Sequence, residues 1–252
     1  MELKKFFETH PKFAVAFSGG VDSSYLLYAA KNFGCDVKAY YIKSPFQPEF
    51  ELDDAKKAAY LLSVPMTVDS VDNLSVPEIA ENPADRCYHC KKAIFNRIIE
   101  LARKDGYEVV CDGTNASDDA TERAGMRALA ELGVLSPLRD CGLIKKEIRR
   151  LSREAGLFTH DKPSYACLAT RIPTGTAITE DLLTTVEQAE QALRTLGFSD
   201  FRIRLMGRTA KIQIPEAQFK LITDRRKKIL EVLHPYFDDV LLDLTARRTE
   251  GA

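Results

Sequence analysis

Six residues near the amino terminus, Ser18-Gly19-Gly20-Val21-Asp22-Ser23, have the types and spacing of an anion-binding loop. They stand between an apolar run of strand length, KFAVAF at residues 12–17, and a segment of helical period. Two glycines let a backbone turn sharply and approach a ligand closely. The unpaired N–H groups at the start of the next helix, with its dipole, then face the anion. Ser18, Ser23 and Ser24 add hydroxyl donors. Asp22 is a poor phosphate ligand by itself and is suited to holding the loop or a Mg²⁺ ion. A plain strand-to-helix turn would also use the two glycines.

The second chemical candidate is Cys167, in the Pro-bounded segment KPSYACLATRIP. Lys162 and Arg171 flank it, and nearby cations lower a thiol pKa and raise the thiolate fraction. The segment is too polar for a core, although free cysteines are commonly buried. Asp112-Gly113-Thr114-Asn115 is a further candidate. A glycine after a buried strand admits a nucleotide, and Thr114 and Asn115 can donate to phosphate or ribose; an ordinary βα turn accounts for them equally well. Arg123 is placed either to reach phosphate or to stand as a solvated helix charge. Cys87 and Cys90 form a CxxC with no second pair or nearby HxxxH to complete a zinc site. The pair does not follow the first strand as a thioredoxin-like motif does, so a structural or auxiliary role in a loop before a helix is expected. Cys35, Cys111 and Cys141 lie in or beside apolar segments and are expected in the core.

These residues need a frame of alternating strands and helices. Strands are expected at 12–17, 36–42, 66–71 and 107–112, with a short buried piece at 135–138. Helices are expected at 1–10, from 21 to a stop at Gly34, and at 50–62, 93–104 and 145–155. That alternation implies a mainly parallel α/β sheet covered on both faces, with ligands beyond the carboxyl ends of its strands. SGGVDS and DGTN both fall at such ends. After the Pro- and Thr-rich stretch around 163–175 the order changes to helix 179–196, strands 201–205 and 210–214, helix 221–233 and strand 240–244. Two domains are therefore expected, residues 1–172 and a smaller α+β domain at 173–252.

Composition bounds the partners. The chain has 252 residues, 45% hydrophobic and 29% charged, and carries a net charge of −1. Those are globular values, and the charge removes the electrostatic case for a dedicated nucleic-acid binder while leaving room for a local basic pocket. No apolar run is long enough to span a bilayer, and Glu8, His10 and Pro11 interrupt any signal-like start. A cytoplasmic setting is expected, in which the six cysteines are thiols rather than disulfides.

Taken together, SGGVDSS, RCYHCKKAIF, DGTNASD, the SPL of residues 136–138, KPSYACLATRIP and FRIR resemble the LarE-type ATP-dependent sacrificial sulfur transferases along nearly the whole chain. SGGVDS is similar to the PP-loop of enzymes that split ATP between its α- and β-phosphates. It is neither a GxxxxGKS/T loop nor a GxGxxG fingerprint. The resemblance implies a Rossmann-like PP-loop ATP pyrophosphatase domain. ATP would lie on Ser18, Gly19, Gly20, Asp22, Ser23, Gly113, Thr114 and Asn115, with Mg²⁺. It implies that the enzyme adenylates a carboxylate of a pyridinium dicarboxylate mononucleotide, that Cys167 attacks the acyl adenylate, and that its sulfur leaves with the substrate while dehydroalanine stays behind. The product feeds a nickel-pincer cofactor. Asp22 and Arg171 accompany Cys167 as catalytic residues on this reading. Arg202 and Arg204, alternating on one strand, match arginines that hold the substrate phosphate, and Glu190 matches an acid near the site. Gln213 stands where the family often carries an acid. Relatives assemble as homo-oligomers.

Other chemistries use the same residues. Cys87, Cys90 and Cys167 have the makings of an iron–sulfur site carrying an extra sulfide. An ATP pyrophosphatase that transfers ammonia would not need Cys167. A nucleotide-binding regulator would bind without releasing pyrophosphate.

Overall fold

Continuous burial of Phe13, Ala14 and Val15 along the first strand dictates a sheet with a core on each side. In the computed structural model, which describes residues 2–118 and 123–247, strand β1 (Lys12–Ala16) follows helix α1 (Leu3–Thr9). Phe13, Val15 and Phe17 face one core with Phe6, Leu26, Leu27 and Ala55; Ala14 faces the other with Tyr40, Ile98 and Val110. Burying each large apolar side chain is worth about 1.5–3 kcal/mol.

The chain continues through α2 (Val21–Phe33), β2 (Asp36–Lys43), α3 (Glu49–Leu61), β3 (Met66–Ser70), a short α4 (Pro77–Ala80), α5 (Arg86–Lys104) and β4 (Val110–Cys111). Then come α6 (Arg123–Glu131), a short α7 (Pro137–Asp140) and α8 (Lys145–Glu154). The strands pair in parallel in the order β3-β2-β1-β4. The sheet order reverses beside β1, and the Ser18–Ser23 loop leaves β1 at that switch point. Helix α2 ends where expected, at Gly34 with φ 93°.

Three expectations change. Helix α5 begins at Arg86, well before residue 93, so Cys87 and Cys90 stand in its first turns rather than in a loop. Strand β4 keeps only two of the residues expected at 107–112, although Val109 O still accepts from Ala14 N and Leu135 bridges Cys111. Helix α6 was implied only by the reading of Arg123 as a helix charge, with no bounds given to it.

The chain divides into two compact units, 1–73 with 85–162 and 74–84 with 163–252. The division falls at 162/163 rather than 172/173, and residues 74–84 join the second unit. Asn82 makes that excursion possible. Its φ of 57° turns the chain, and its Nδ2 donates to Pro173 O (2.9 Å) and Thr176 O (3.2 Å). The second unit holds α9 (Glu180–Thr195), β5 (Arg202–Met206), β6 (Thr209–Gln213), α10 (Phe219–Leu233) and β7 (Asp239–Leu242). The expected order is observed there, and Thr179 caps α9 by accepting from Leu182 N (3.3 Å). Strands β5 and β6 are antiparallel, and β7 adds in parallel to β6. Leu183, Val186, Ala189 and Leu193 form the buried stripe of α9, which packs on β5 and α10. No described helix is long and apolar enough to cross a membrane.

Candidate active site

The Ser18–Ser23 loop is built for close approach. Gly19 sits at φ 70°, and a Cβ there would lie 2.8 Å from Ala55 Cα. Left-handed backbone costs a side chain about 1–2 kcal/mol, and overpacking adds about 1–3 kcal/mol. Gly19→Ala is therefore expected to lower the urea midpoint by the equivalent of about 2–5 kcal/mol; an unchanged midpoint would contradict this geometry.

Gly20 is the N-cap of α2 and makes no side-chain cap bond, so the helix start keeps donors for an anion. The loop's own hydroxyls hold it loosely. Gly20 N donates to Ser18 Oγ (3.3 Å), Ser23 Oγ donates to Gly20 O (3.4 Å), and the Ser18 and Ser23 hydroxyls lie 3.2 Å apart. Bonds of that length are weak ones. The Ser24 hydroxyl is buried with no hydrogen-bond partner.

Asp22 carries the local charge. Its Oδ2 accepts from Lys145 Nζ at 2.5 Å, and its Oδ1 is buried with no hydrogen-bond partner. Burial pushes the Asp22 carboxyl above its ordinary range, with Lys145 opposing. A buried, unpartnered carboxylate oxygen beside the Ser18–Ser23 loop is the donor chemistry that a Mg²⁺ ion takes, so the residues present fit that ion. Lys145 opens α8 and was missed from sequence, because its partner lies far away along the chain. Lys162, expected to act on Cys167, is instead bonded to Asp54 (2.8 Å) and Glu51 (3.1 Å), and reaches Gly19 O at 3.4 Å. It ties the loop to α3.

The second wall is more closed than its residue types implied. A Cβ on Gly113 would lie 2.9 Å from Ser23 N, so this glycine admits the start of α2 rather than a nucleotide. Thr114 Oγ1 donates to Asp112 Oδ2, and Asn115 Nδ2 donates to Asp118 Oδ1 (3.0 Å) while its Oδ1 accepts from Ser117 N (2.8 Å). Both side chains are engaged within their own loop. Asp112 is the residue that organises it, accepting also from Ser136 Oγ at 2.7 Å; burial raises its pKa against those hydrogen bonds. The Arg123 side chain lies outside the described residues.

In the second unit, Cys167 is half-buried at the start of a short turn of 3₁₀ helix, Leu168–Arg171. Arg171, expected to act on the thiol from a polar loop, is fully buried. Its Nε and Nη2 donate to the two Glu190 oxygens (2.8 and 3.0 Å), and its Nη1 donates to Ala166 O (2.7 Å) and Cys167 O (3.3 Å). Burial works against its charge, but Glu190 outweighs burial and holds the guanidinium above its ordinary value, with Tyr165 and Cys167 adding. Glu190 also accepts from Tyr165 Oη (2.5 Å) and Ile203 N (3.0 Å), so it supports the cysteine loop and is not open to a substrate. With the Arg171 and Glu190 side chains 0% and 2% exposed, Glu190→Gln is expected to cost about 3–5 kcal/mol, read from a denaturant titration. A loss under about 1 kcal/mol would mean that Arg171 finds another partner.

Arg202 and Arg204 do share a face of β5, and both reach back to the same loop. Arg202 Nη2 donates to Ser164 O (2.6 Å) and Arg204 Nη1 to Thr170 O (2.7 Å), while Arg204 Nε donates to Gln213 Oε1 (2.7 Å). In the first unit, Cys90 Sγ accepts from Asn73 Nδ2 at 3.2 Å, and Cys87 is exposed. Cys111 is in the core as expected, whereas Cys35 and Cys141 are half-buried.

A parallel sheet whose first strand feeds SGGVDS into a helix is the architecture of the PP-loop proteins, and this chain is one of them. No protein-family model matches it. It is 34% identical to the pyridinium-3,5-bisthiocarboxylic acid mononucleotide synthase of Lactiplantibacillus plantarum over 93% of this chain and 86% of that one. An uncharacterized protein of Synechocystis is 34% identical over 86% of this chain and 82% of its own length. The tRNA-specific 2-thiouridylase MnmA of Pseudothermotoga lettingae is 27% identical over 60% of this chain. The chain belongs to the LarE-type family of PP-loop sulfur transferases.

Proposed function

We propose that this enzyme uses ATP to adenylate a carboxylate of a pyridinium dicarboxylate mononucleotide and then gives it the sulfur of Cys167. The observation that carries this reading is the placement of Cys167. It stands half-buried, outside the core, in a loop whose carbonyls are held by three arginines. A thiol so held is presented rather than packed away.

Gly19, Gly20 and the free N–H groups of α2 hold the nucleotide phosphates, with Ser18 and Ser23 exchanging their mutual contacts for phosphate oxygens. Asp22 Oδ1 is the residue atom for Mg²⁺, and the bound ion supplies neutralisation of charge on the phosphates. Lys145 holds Asp22 in place. A substrate carboxylate oxygen attacks the α-phosphorus and pyrophosphate leaves. The Cys167 thiolate attacks the activated acyl carbon and AMP leaves. Removal of the Cys167 Cα proton then breaks its Cβ–Sγ bond. The sulfur departs as the thiocarboxylate, and residue 167 becomes dehydroalanine. Arg202 and Arg204 take the substrate phosphate through their planar forks. The free thiol chemistry belongs in a reducing compartment such as the cytoplasm. The test is stoichiometric. With ATP, Mg²⁺ and the dicarboxylate nucleotide, product should stop at one sulfur per chain, and continued product formation without added enzyme would reject the sacrificial step.

The iron–sulfur alternative gains no support. Cys87 and Cys90 lie one turn apart in the first turns of α5, but the described residues contain no group of three or more His, Cys, Asp or Glu side chains that could hold a metal ion.

A further inference from the structure

Three arginines hold backbone oxygens of the cysteine loop in the second unit, beside the Tyr165 hydroxyl that donates to Glu190. Arg202 takes Ser164 O, Arg171 takes Ala166 O and Cys167 O, and Arg204 takes Thr170 O. The three are not equivalent. Arg171 is locked by both oxygens of Glu190 and is buried beneath the ring of Tyr165, 4.6 Å from its centroid. Arg202 has no such bidentate partner. Its Nη1 goes to Phe201 O (2.7 Å), and its nearest carboxylate is Asp200 at 4.0 Å. Arg204 is exposed and bonds only neutral oxygens, those of Gln213 and Thr170.

Two guanidinium groups on one strand are thus satisfied by amide oxygens, which are weaker acceptors than phosphate oxygens. The neighbourhood favours an anion. Burial, followed by repulsion from Arg171 and Arg247, brings the Arg202 pKa down to about 10, and the same causes lower that of Arg204.

We infer that Arg202 and Arg204 are exchangeable pins on the cysteine loop: without ligand they hold it through Ser164 O and Thr170 O, and a phosphate-bearing substrate takes both guanidinium groups and releases the loop at those two points, while Arg171 and the Tyr165–Glu190 bond still anchor it. The inference rests on the reading that these two arginines receive the substrate phosphate, and it adds that binding and loop release are one event. The cysteine then becomes mobile only when a substrate is present. That protects a thiol which is spent once from stray electrophiles.

The experiment measures two quantities on the full chain, with inorganic phosphate as the probe and potassium chloride at matched ionic strength as the control. One is phosphate binding by calorimetry. The other is the rate of Cys167 alkylation by iodoacetamide, read by peptide mass spectrometry. Saturating phosphate is expected to raise the alkylation rate by about fivefold or more, as expected when the open population shifts by that factor. In Arg204→Gln the basal rate should already be raised and phosphate should add little. Arg204→Lys keeps the charge and should restore part of the response. Arg208→Gln, whose parent side chain is exposed and paired with Asp238, should match the parent protein throughout. Binding that weakens in Arg204→Gln, with an alkylation rate that phosphate never changes, overturns the inference and leaves the phosphate reading standing. Binding that is unaffected by Arg204→Gln overturns both.

Discussion

Cys167→Ala is expected to abolish sulfur transfer while ATP cleavage to AMP and pyrophosphate continues. The clamp on the loop engages Cys167 through its carbonyl oxygen, which alanine keeps, so Arg171 and Arg204 still have their acceptors. The side chain is half-buried, and its truncation therefore costs little stability. What disappears is the atom that, in the proposed mechanism, forms the thioester and later leaves with the substrate. Loss of the nucleophile typically lowers turnover by about 10³-fold or more, and here no sulfur remains to be transferred at all. Pyrophosphate release should stay within about threefold of the parent rate, since adenylation precedes any action of the thiol. Parallel assays of pyrophosphate and thiocarboxylate check the split. An ammonia-transferring enzyme would keep its full activity in this variant. A nucleotide-binding regulator would release no pyrophosphate in either protein.

Asp22→Asn is the second large effect. The substitution keeps the size of the side chain and removes the charge that Lys145 faces at 2.5 Å. It also replaces the unpartnered carboxylate oxygen, the atom that fits Mg²⁺, by a neutral group. Pyrophosphate release is expected to fall by about 10²–10³-fold, the range for losing one preorganised electrostatic partner of a transition state. The Mg²⁺ concentration for half-maximal rate should rise as well. Burial raises the Asp22 pKa and Lys145 opposes that rise. Lys145→Met should therefore shift the acidic limb of the rate profile to higher pH. An Asp22→Asn enzyme with an unchanged Mg²⁺ requirement would remove Asp22 from the metal role.

The parallel sheet, the position of the Ser18–Ser23 loop between strand and helix, and the α-β-β-α-β order of the second unit were legible in sequence because each rests on local pattern. KFAVAF alternates between two cores, SGG falls at a strand end, and Thr179 caps a helix whose apolar stripe repeats correctly. What was illegible depends on residues distant in the chain. Lys162 and Arg171 flank Cys167 in sequence, yet their charges go to Glu51, Asp54 and Glu190. Glu190 resembles a substrate-side acid until its three donors are seen. Thr114 and Asn115 have the right types for a nucleotide, but Asp112 and Asp118 already occupy them. Helix α5 hid its start because Arg86, Cys87 and Tyr88 follow no cap residue with a side-chain bond. Asn82 gave no signal, because its task is to close a long excursion of the chain.

The central claim is that sulfur leaves the protein from residue 167. Intact-mass spectrometry before and after a single round with ATP, Mg²⁺ and the dicarboxylate nucleotide reads it directly. The account predicts a chain lighter by one H₂S equivalent, with the change mapped to position 167 and matched mole for mole by thiocarboxylate. Full product with every chain at its starting mass would contradict it.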